Sequence, residues 1–205
     1  CVLGVSVLRP GYSSKILMRK LILVRHSLPK IVPGRRAAQW SLGEEGRLRC
    51  GPLADRLRAY QPRVIVSSVE PKAVETAEIV AERLGKTFET AAGLHEHIRG
   101  NPTEFLDRAD FEDAVAGIFD RPDELVMGQE TGAQARDRFA KAAESVVESH
   151  QDGNVVIVAH GTVISLFVAE HTGVRPFELW KRLGLPSFVV LSLPELDLLT
   201  EVESV

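Results

Sequence analysis

Cysteine is scarce in this chain, which has only Cys1 and Cys50 among its 205 residues. Two cysteines cannot build a disulfide framework, and neither lies near a second cysteine or a histidine at the spacing of a zinc finger. This usage is typical of proteins that reside in a reducing compartment. We therefore expect a cytoplasmic location.

The chain also lacks a strong charge of either sign and a long apolar run. Its formal net charge is −3, so bulk electrostatics favour neither nucleic acid nor a membrane surface as a partner. No apolar segment approaches the roughly 18 residues that span a bilayer. Any anion that binds must be held by basic groups placed locally.

The first 17 residues differ in character from the rest. Their apolar stretch is broken by Arg9, Pro10 and Gly11, which makes a poor signal peptide. Met18 directly precedes the first strand-like run. We therefore treat residues 1–17 as an N-terminal extension outside the fold. Residues 18–205 contain no repeat or interdomain linker, and their length suits one domain.

Short apolar runs alternate with helical patterns. Buried strands are predicted at 21–24, 64–66, 155–159 and 187–193, with an edge strand or tail at 196–202. Helices are predicted from Ser41, as an N-cap, to about 57 with a kink or break at Gly51-Pro52, and at 71–84, 102–119, 131–149 and 161–172. Residues 86–102 are expected to be irregular, with at most one short strand. The alternation predicts a three-layer α/β/α sandwich with a mostly parallel central sheet.

Two of the predicted strands end in histidine. His26 follows Arg25 at the end of the first strand, and His160 follows the run at 155–159. Ligands of open α/β sheets bind beyond the carboxyl ends of the strands. If these strands are neighbours, both imidazoles open into one crevice. A neutral imidazole can attack phosphorus, and the planar guanidinium of Arg25 matches phosphate oxygens.

Four ordered motifs resemble those of the histidine phosphatase superfamily, which includes the cofactor-dependent phosphoglycerate mutases. They are Leu-Val-Arg25-His26, Ser67-Ser68 followed by Lys72-Ala73 and Thr76-Ala77, Leu94-His95-Glu96, and Val-Ala-His160-Gly161. Their order and approximate spacing match from residue 20 to about 192. The resemblance therefore covers nearly the whole predicted domain.

The resemblance implies a phosphatase that hydrolyses a small phosphate monoester through a phosphohistidine on His26, without a metal or organic cofactor. Glu96 would protonate the leaving oxygen and later activate water. Arg25, Lys72 and His160 would surround the phosphoryl group with positive charge. Further donors to phosphate are expected from Ser27 and, at the start of the last predicted helix, from Gly161 and Thr162.

Three departures from the family pattern mark a variant pocket. Ser27 stands where the family usually has glycine after the nucleophile. Lys72 stands in place of the second arginine. It keeps the positive charge but lacks the planar guanidinium, which can donate two hydrogen bonds to one phosphate group. The asparagine of the mutase-like branches is missing from residues 28–34, which argues against mutase activity on phosphoglycerates.

Several alternatives remain open on the sequence alone. The protein could be a phosphotransferase or mutase, or a phosphate-binding or interaction module whose catalysis has decayed. The segment His95-Glu96-His97 could be a metal site or a solvated loop. The basic residues Lys30, Arg35 and Arg36 could contact a second anionic group or lie in solvent. Glu130 is expected to be a surface charge, and the oligomeric state is open, with a homodimer as one candidate.

Overall fold

The structure is a computed structural model that describes residues 18–99 and 108–205. The extension predicted at 1–17 and the first part of the helix predicted at 102–119 lie outside these residues. Besides two short 3-10 helices at Ala37–Gln39 and Arg58–Tyr60, the described chain has six strands and six α-helices. In chain order they are β1 (Arg19–Arg25), α1 (Glu44–Leu57), β2 (Pro62–Ser67), α2 (Pro71–Leu84), β3 (Phe88–Thr90), α3 (Arg108–Asp120), α4 (Gly132–Ser149), β4 (Asn154–Ala159), α5 (Gly161–Thr172), α6 (Pro176–Arg182), β5 (Ser187–Leu193) and β6 (Leu198–Val202).

The strands form one sheet in the order β3-β2-β4-β1-β5-β6. The first four strands in this order run parallel, whereas β5 and β6 join in antiparallel orientation. The predicted, mostly parallel sheet is therefore confirmed. Arg25 pairs with Ala159 and Ser67 pairs with Val158, so the carboxyl ends of β1, β2 and β4 meet at one edge of the sheet.

Helices cover both faces of the sheet, and successive side chains of β1 pack alternately against the two helical layers. Leu21 and Leu23 pack into a core with residues of α3, α4, α5 and α6, whereas Ile22 and Val24 pack into a second core with residues of α1 and α2. A strand that is buried on both faces is continuously apolar, as this run is. The predicted α/β/α sandwich is confirmed.

Local signals placed some helix ends correctly. Gly85 ends α2 in the left-handed conformation with φ of 64°, and Thr131 forms a capping box with Gln134 at the start of α4. The predicted cap at Ser41 is wrong, because α1 begins at Glu44 after Gly43 and has no side-chain cap. Of the kink or break predicted at Gly51-Pro52, the break is wrong, since this proline lies within the helix; the kink stays a prediction.

The helix of residues 176–182, which is α6, was not predicted. It is only seven residues long, too short for a clear amphipathic period. No helix in the described part of the chain is long and apolar enough to cross a membrane.

Candidate active site

The two strand-end histidines lie against each other. The His26 backbone N–H donates to the Ala159 carbonyl at 3.0 Å, which continues the β1–β4 pairing by one residue. The ring centroids of His26 and His160 are 5.1 Å apart, with the rings edge to face. Both side chains are buried. The expectation that β1 and β4 are neighbours and bring the imidazoles together is confirmed.

The hydrogen bonding of His26 assigns its tautomer. Its Nδ1 lies 2.7 Å from the carbonyl oxygen of Ser27, and because a carbonyl only accepts, Nδ1 carries the hydrogen. The lone pair is then on Nε2. Burial, followed by the proximity of His160 and Lys72, holds the pKa of His26 well below its usual value. His26 is therefore a neutral imidazole at neutral pH, the form that can act as a nucleophile.

His160 stands at the N-cap of α5 and is fully buried. Its Nε2 lies 2.8 Å from the Ser68 hydroxyl and 3.6 Å from a carboxylate oxygen of Glu70. Its buried Nδ1 has no hydrogen-bond partner among residues 18–99 and 108–205. Burial and the nearby Lys72 lower the pKa of His160 well below its usual value, so this ring is also neutral without a bound anion.

Arg25 is the last residue of β1, and its guanidinium lies next to Gly161 at the start of α5. It donates to the Leu183 carbonyl, and its guanidinium carbon lies 5.8 Å from the centroid of the Trp180 ring. Its buried Nε has no partner within the described residues. Burial lowers the pKa of Arg25 to about 10, which still leaves it charged at neutral pH. A Cβ at Gly161 would lie 3.0 Å from the guanidinium carbon, so the glycine allows this close approach.

The carboxylate of Glu96 lies at the N-terminus of α5. Its carboxylate accepts from the backbone N–H groups of Thr162 at 3.2 Å, Val163 at 3.3 Å and His97 at 2.9 Å. Arg99 forms an ion pair with it at 3.4 Å. Burial alone would raise the pKa of Glu96, but Arg99 and these N–H donors outweigh burial and hold the pKa far below its usual range. Glu96 is therefore ionised in this arrangement.

One of the expected phosphate donors at α5 is engaged with protein groups. The Thr162 N–H donates to Glu96, and its hydroxyl accepts from Arg99. Contact of phosphate with Gly161 and Thr162 stays a prediction. Arg99 is a site residue that the sequence reading missed, and no motif distinguishes it from the other arginines.

The Ser27 hydroxyl is likewise engaged. It donates to the Gly46 carbonyl at 2.7 Å, and the Ser27 N–H donates to the Thr76 hydroxyl at 3.0 Å. Its single hydrogen thus joins the end of β1 to α1, and its donation to phosphate stays a prediction. A Cβ at Gly46 would lie 2.0 Å from the Leu28 carbonyl oxygen, so only glycine permits this contact.

Lys72 is buried in the first turn of α2, next to a carboxylate that the sequence reading missed. Its ammonium forms an ion pair with Glu70 and donates to the Ala37 carbonyl at 2.8 Å. Glu70 is itself 6% exposed. Contact between Lys72 and phosphate stays a prediction. Glu70 lies two residues before Lys72, inside the second family motif. It was not predicted as a site residue because it does not match a position of the family pattern.

The Arg138–Glu130 ion pair holds the backbone of the segment that contains Glu96. Arg138 of α4 contacts the carboxylate of Glu130 at 2.6 Å and donates to the carbonyls of Gly93 at 2.7 Å and His95 at 2.9 Å. Glu130 is 8% exposed, so its prediction as a surface charge is wrong. Its carboxylate also accepts from the Ile98 N–H at 2.9 Å.

The metal alternative at His95-Glu96-His97 finds no support in the described residues. No group of three or more histidine, cysteine, aspartate or glutamate side chains in residues 18–99 and 108–205 is placed to hold a metal ion. The His97 ring bonds through Nε2 to the Glu130 carbonyl at 2.9 Å. Three basic residues of the loop after β1 are exposed: Lys30, Arg35 and Arg36. Their contact with a second anionic group stays a prediction.

Replacing Arg138 by methionine is expected to lower the free energy of unfolding by roughly 3 kcal/mol, since it leaves Glu130 buried without its counter-charge. Urea denaturation measures this loss. Arg136→Met is the control on the same helix, because Arg136 pairs only with exposed acids on the described surface. It should change stability by less than about 1 kcal/mol. Equal losses in the two variants would contradict the bracing role of Arg138.

Comparison with known proteins identifies the family. The family model of the histidine phosphatase superfamily, branch 1, matches residues 21–195, and the chain belongs to this superfamily. No curated protein sequence matches the chain.

Solved structures with this fold include several phosphatases. The mycobacterial glucosyl-3-phosphoglycerate phosphatase is 25% identical, with a TM-score of 0.68 over 85% of this chain and 90% of its own. The YhfR protein of Bacillus stearothermophilus is 25% identical, with a TM-score of 0.70 over 90% and 96% of the two chains. The phosphoserine phosphatase of Entamoeba histolytica shares the fold at 18% identity, with a TM-score of 0.65 over 90% and 97%.

Proposed function

We propose that this protein is a metal-independent phosphatase that hydrolyses a small phosphate monoester through a phosphohistidine on His26. The observation that carries this proposal is the state of His26. Its Nδ1 hydrogen is bound to the Ser27 carbonyl, which leaves the Nε2 lone pair for attack. The ring lies beside His160 and near Arg25 at the carboxyl edge of a parallel sheet, where α/β proteins bind ligands.

The first half-reaction transfers the phosphoryl group to the enzyme. Nε2 of His26 forms a bond to phosphorus as the bond between phosphorus and the leaving oxygen breaks. The leaving oxygen takes a proton from Glu96. The nearby Arg25 and Lys72, and His160 once it is protonated, face the charge on the phosphoryl oxygens, which is the main contribution a protein makes to such a transfer.

The second half-reaction returns the enzyme to its starting state. Water gives a proton to the Glu96 carboxylate and attacks phosphorus, and the bond from phosphorus to Nε2 breaks. Inorganic phosphate leaves, and His26 is neutral again. The low pKa of Glu96 keeps its carboxylate ionised but makes it a weak base. To accept this proton, and to donate one in the first half-reaction, its pKa must rise while the negative phosphoryl group is bound nearby.

The comparisons favour hydrolysis over the mutase alternative, because named neighbours are phosphatases that act on glucosyl-3-phosphoglycerate and phosphoserine. We extend from them only the class of substrate, a small phosphorylated metabolite. A cytoplasmic location, the lack of nucleic-acid and membrane partners, and a homodimer stay predictions.

The purified protein is expected to hydrolyse an aryl phosphate at an undiminished rate after treatment with a chelator. Continuous release of the aryl alcohol measures the rate. Activity that disappears with chelator and returns with a divalent metal would contradict the metal-independent mechanism. Tight phosphate binding with no turnover on any of a broad panel of monoesters would instead support the decayed binding module.

A further inference from the structure

Glu70 is a buried carboxylate inside a pocket that is expected to bind an anion. One carboxylate oxygen pairs with the Lys72 ammonium. The other accepts from the Glu96 backbone N–H at 2.8 Å and lies 3.6 Å from Nε2 of His160. A carboxylate in this position repels a phosphoryl group, and neither half-reaction above uses it. Its presence therefore needs a physical account.

Glu70 and His160 are in electrostatic contact. Nε2 of His160 lies 3.6 Å from a carboxylate oxygen of Glu70, so the carboxylate stabilises a proton added to His160. The His160 ring can take up this proton, because its Nδ1 is buried without a hydrogen-bond partner in the described chain. Ser68 also contacts Nε2, at 2.8 Å, and as a hydroxyl it can donate or accept whichever way the proton lies.

The charges around this pair decide when it takes up a proton. The charged or titratable groups of the described residues that face it come from β1, α2 and the segment after β3: Arg25, His26, Lys72, His95, Glu96 and Arg99. Arg25, Lys72 and Arg99 are cations, and Glu70 and Glu96 are carboxylates. The three imidazoles have lowered pKa values. These groups together are only slightly positive, so a dianion that enters reverses the sign.

We propose that Glu70 and His160 form one proton-accepting unit and that binding of a dianionic phosphoryl group is coupled to uptake of one proton by this pair. The inference rests on the proposed function, because the pair faces the anion only if the phosphoryl group binds beside His26. The added proton converts His160 into a cation that contacts the anion, or releases Lys72 from Glu70 to do so. The pocket thus acquires its full positive charge only when substrate is present.

The sign of the pH dependence follows from this coupling. Without an anion the pair does not hold the extra proton at neutral pH, because the pKa of His160 is lowered. With the anion bound, the pair holds it. Between the pKa of His160 without the anion and its higher pKa with the anion bound, affinity for a dianion should therefore fall about tenfold for each unit rise in pH.

Sulfate is the appropriate probe, because it keeps two negative charges across the range and any proton taken up must go to the protein. We expect its Kd, measured by NMR titration at constant ionic strength between about pH 6 and pH 9, to rise with this slope in the wild-type protein. The imidazole resonances of His160 should also titrate at a higher pH when sulfate is bound.

Glu70→Gln tests the role of the carboxylate. It removes one member of the pair and frees Lys72, so the slope should be largely lost and sulfate should bind more tightly than to wild type near pH 8.5 (about tenfold). Glu78→Gln on the exposed side of α2 removes the same charge outside the pocket and should retain the wild-type slope. The double variant Glu70→Gln/Lys72→Met removes both buried charges of the ion pair, and it should also lack the slope because the carboxylate of the pair is absent.

The outcomes separate this inference from the proposed function. If wild-type sulfate binding perturbs the His26 resonances but is independent of pH, or if Glu70→Gln retains the slope, the inference is overturned and the phosphatase proposal stands. If sulfate does not perturb His26 at any pH, both fail. Should Glu70→Gln fold poorly, the double variant still decides the matter, because it removes both members of the Lys72–Glu70 ion pair, and a slope retained there would overturn the inference.

Discussion

Replacing His26 by alanine is expected to reduce turnover of every phosphate monoester by roughly 10⁵-fold or more, the scale of loss when a covalent nucleophile is removed. The reason is geometric. The Nε2 lone pair of His26 is held toward the pocket by the bond from Nδ1 to the Ser27 carbonyl, and His160 has its own Nε2 against Ser68 and Glu70. His160 is therefore not placed to substitute for it. Steady-state kinetics on aryl and alkyl phosphates measure the loss.

Two further variants control for damage to the fold. His26→Asn keeps a side-chain N–H that can donate to the Ser27 carbonyl but has no nucleophilic nitrogen, so it should be as inactive as His26→Ala while more stable. His171→Ala changes an exposed histidine of α5 and should leave turnover unchanged. A His26→Asn enzyme with substantial activity would contradict the nucleophile assignment, because the pocket would then be catalysing without a covalent intermediate.

Replacing Glu96 by glutamine is expected to reduce kcat/KM for alkyl phosphates by about 10²- to 10⁴-fold, the usual contribution of a general acid. The loss for aryl phosphates with good leaving groups should be much smaller, because their leaving oxygens need little protonation. The ratio kcat/KM is the informative quantity, since it reports phosphorylation of His26 and is insensitive to the later attack by water.

The structure adds a complication that the same experiment can resolve. Glu96 accepts the N–H groups of Thr162 and Val163, and the amide nitrogen of glutamine cannot accept in their place, so Glu96→Gln also disturbs the start of α5. Glu89→Gln, an exposed carboxylate on β3, controls for loss of charge. Equal slowing of aryl and alkyl phosphates in Glu96→Gln would remove this residue from the role of acid and leave it a positioning residue.

The parts of the site that the sequence predicted are those set by strand ends. Arg25, His26 and His160 directly follow apolar runs that could only be buried strands, and the carboxyl ends of parallel strands meet at one edge. Once β1 and β4 are neighbours, the meeting of the two imidazoles follows. Glu96 was identified by the resemblance and not by any local pattern.

The parts that could not be predicted depend on contacts between distant segments. Arg99 reaches Thr162 across 63 positions in the sequence, and Arg138 reaches Gly93 across 45. No local pattern marks either arginine. The hydrogen bonds of Ser27 and Thr162 to protein groups were not predicted for the same reason, because their partners come from distant parts of the chain. Glu70 lies inside a motif of the family, but that motif did not indicate its contacts with Lys72 and His160.

The ion pairs and hydrogen bonds of the site determine how we expect an anion to be held. In the arrangement described here, Lys72 is paired with Glu70 and the start of α5 is paired with Glu96. Binding of a phosphoryl group must therefore displace or share charges that are already balanced, rather than fill an open basic pocket. This is why the Glu70–His160 pair and the protonation of Glu96 are expected to govern the pH dependence of this enzyme more than the number of basic residues does.

The most direct test of the account is to look for the phosphoryl group on His26. The Glu96→Gln enzyme, in which attack by water should be slow, is mixed with an aryl phosphate, quenched at high pH and digested for mass spectrometry. The account predicts the mass of one phosphoryl group on the peptide that contains His26, formed within the first turnover and absent from His26→Asn. Turnover without this adduct, or an adduct on another residue, would contradict the phosphohistidine mechanism.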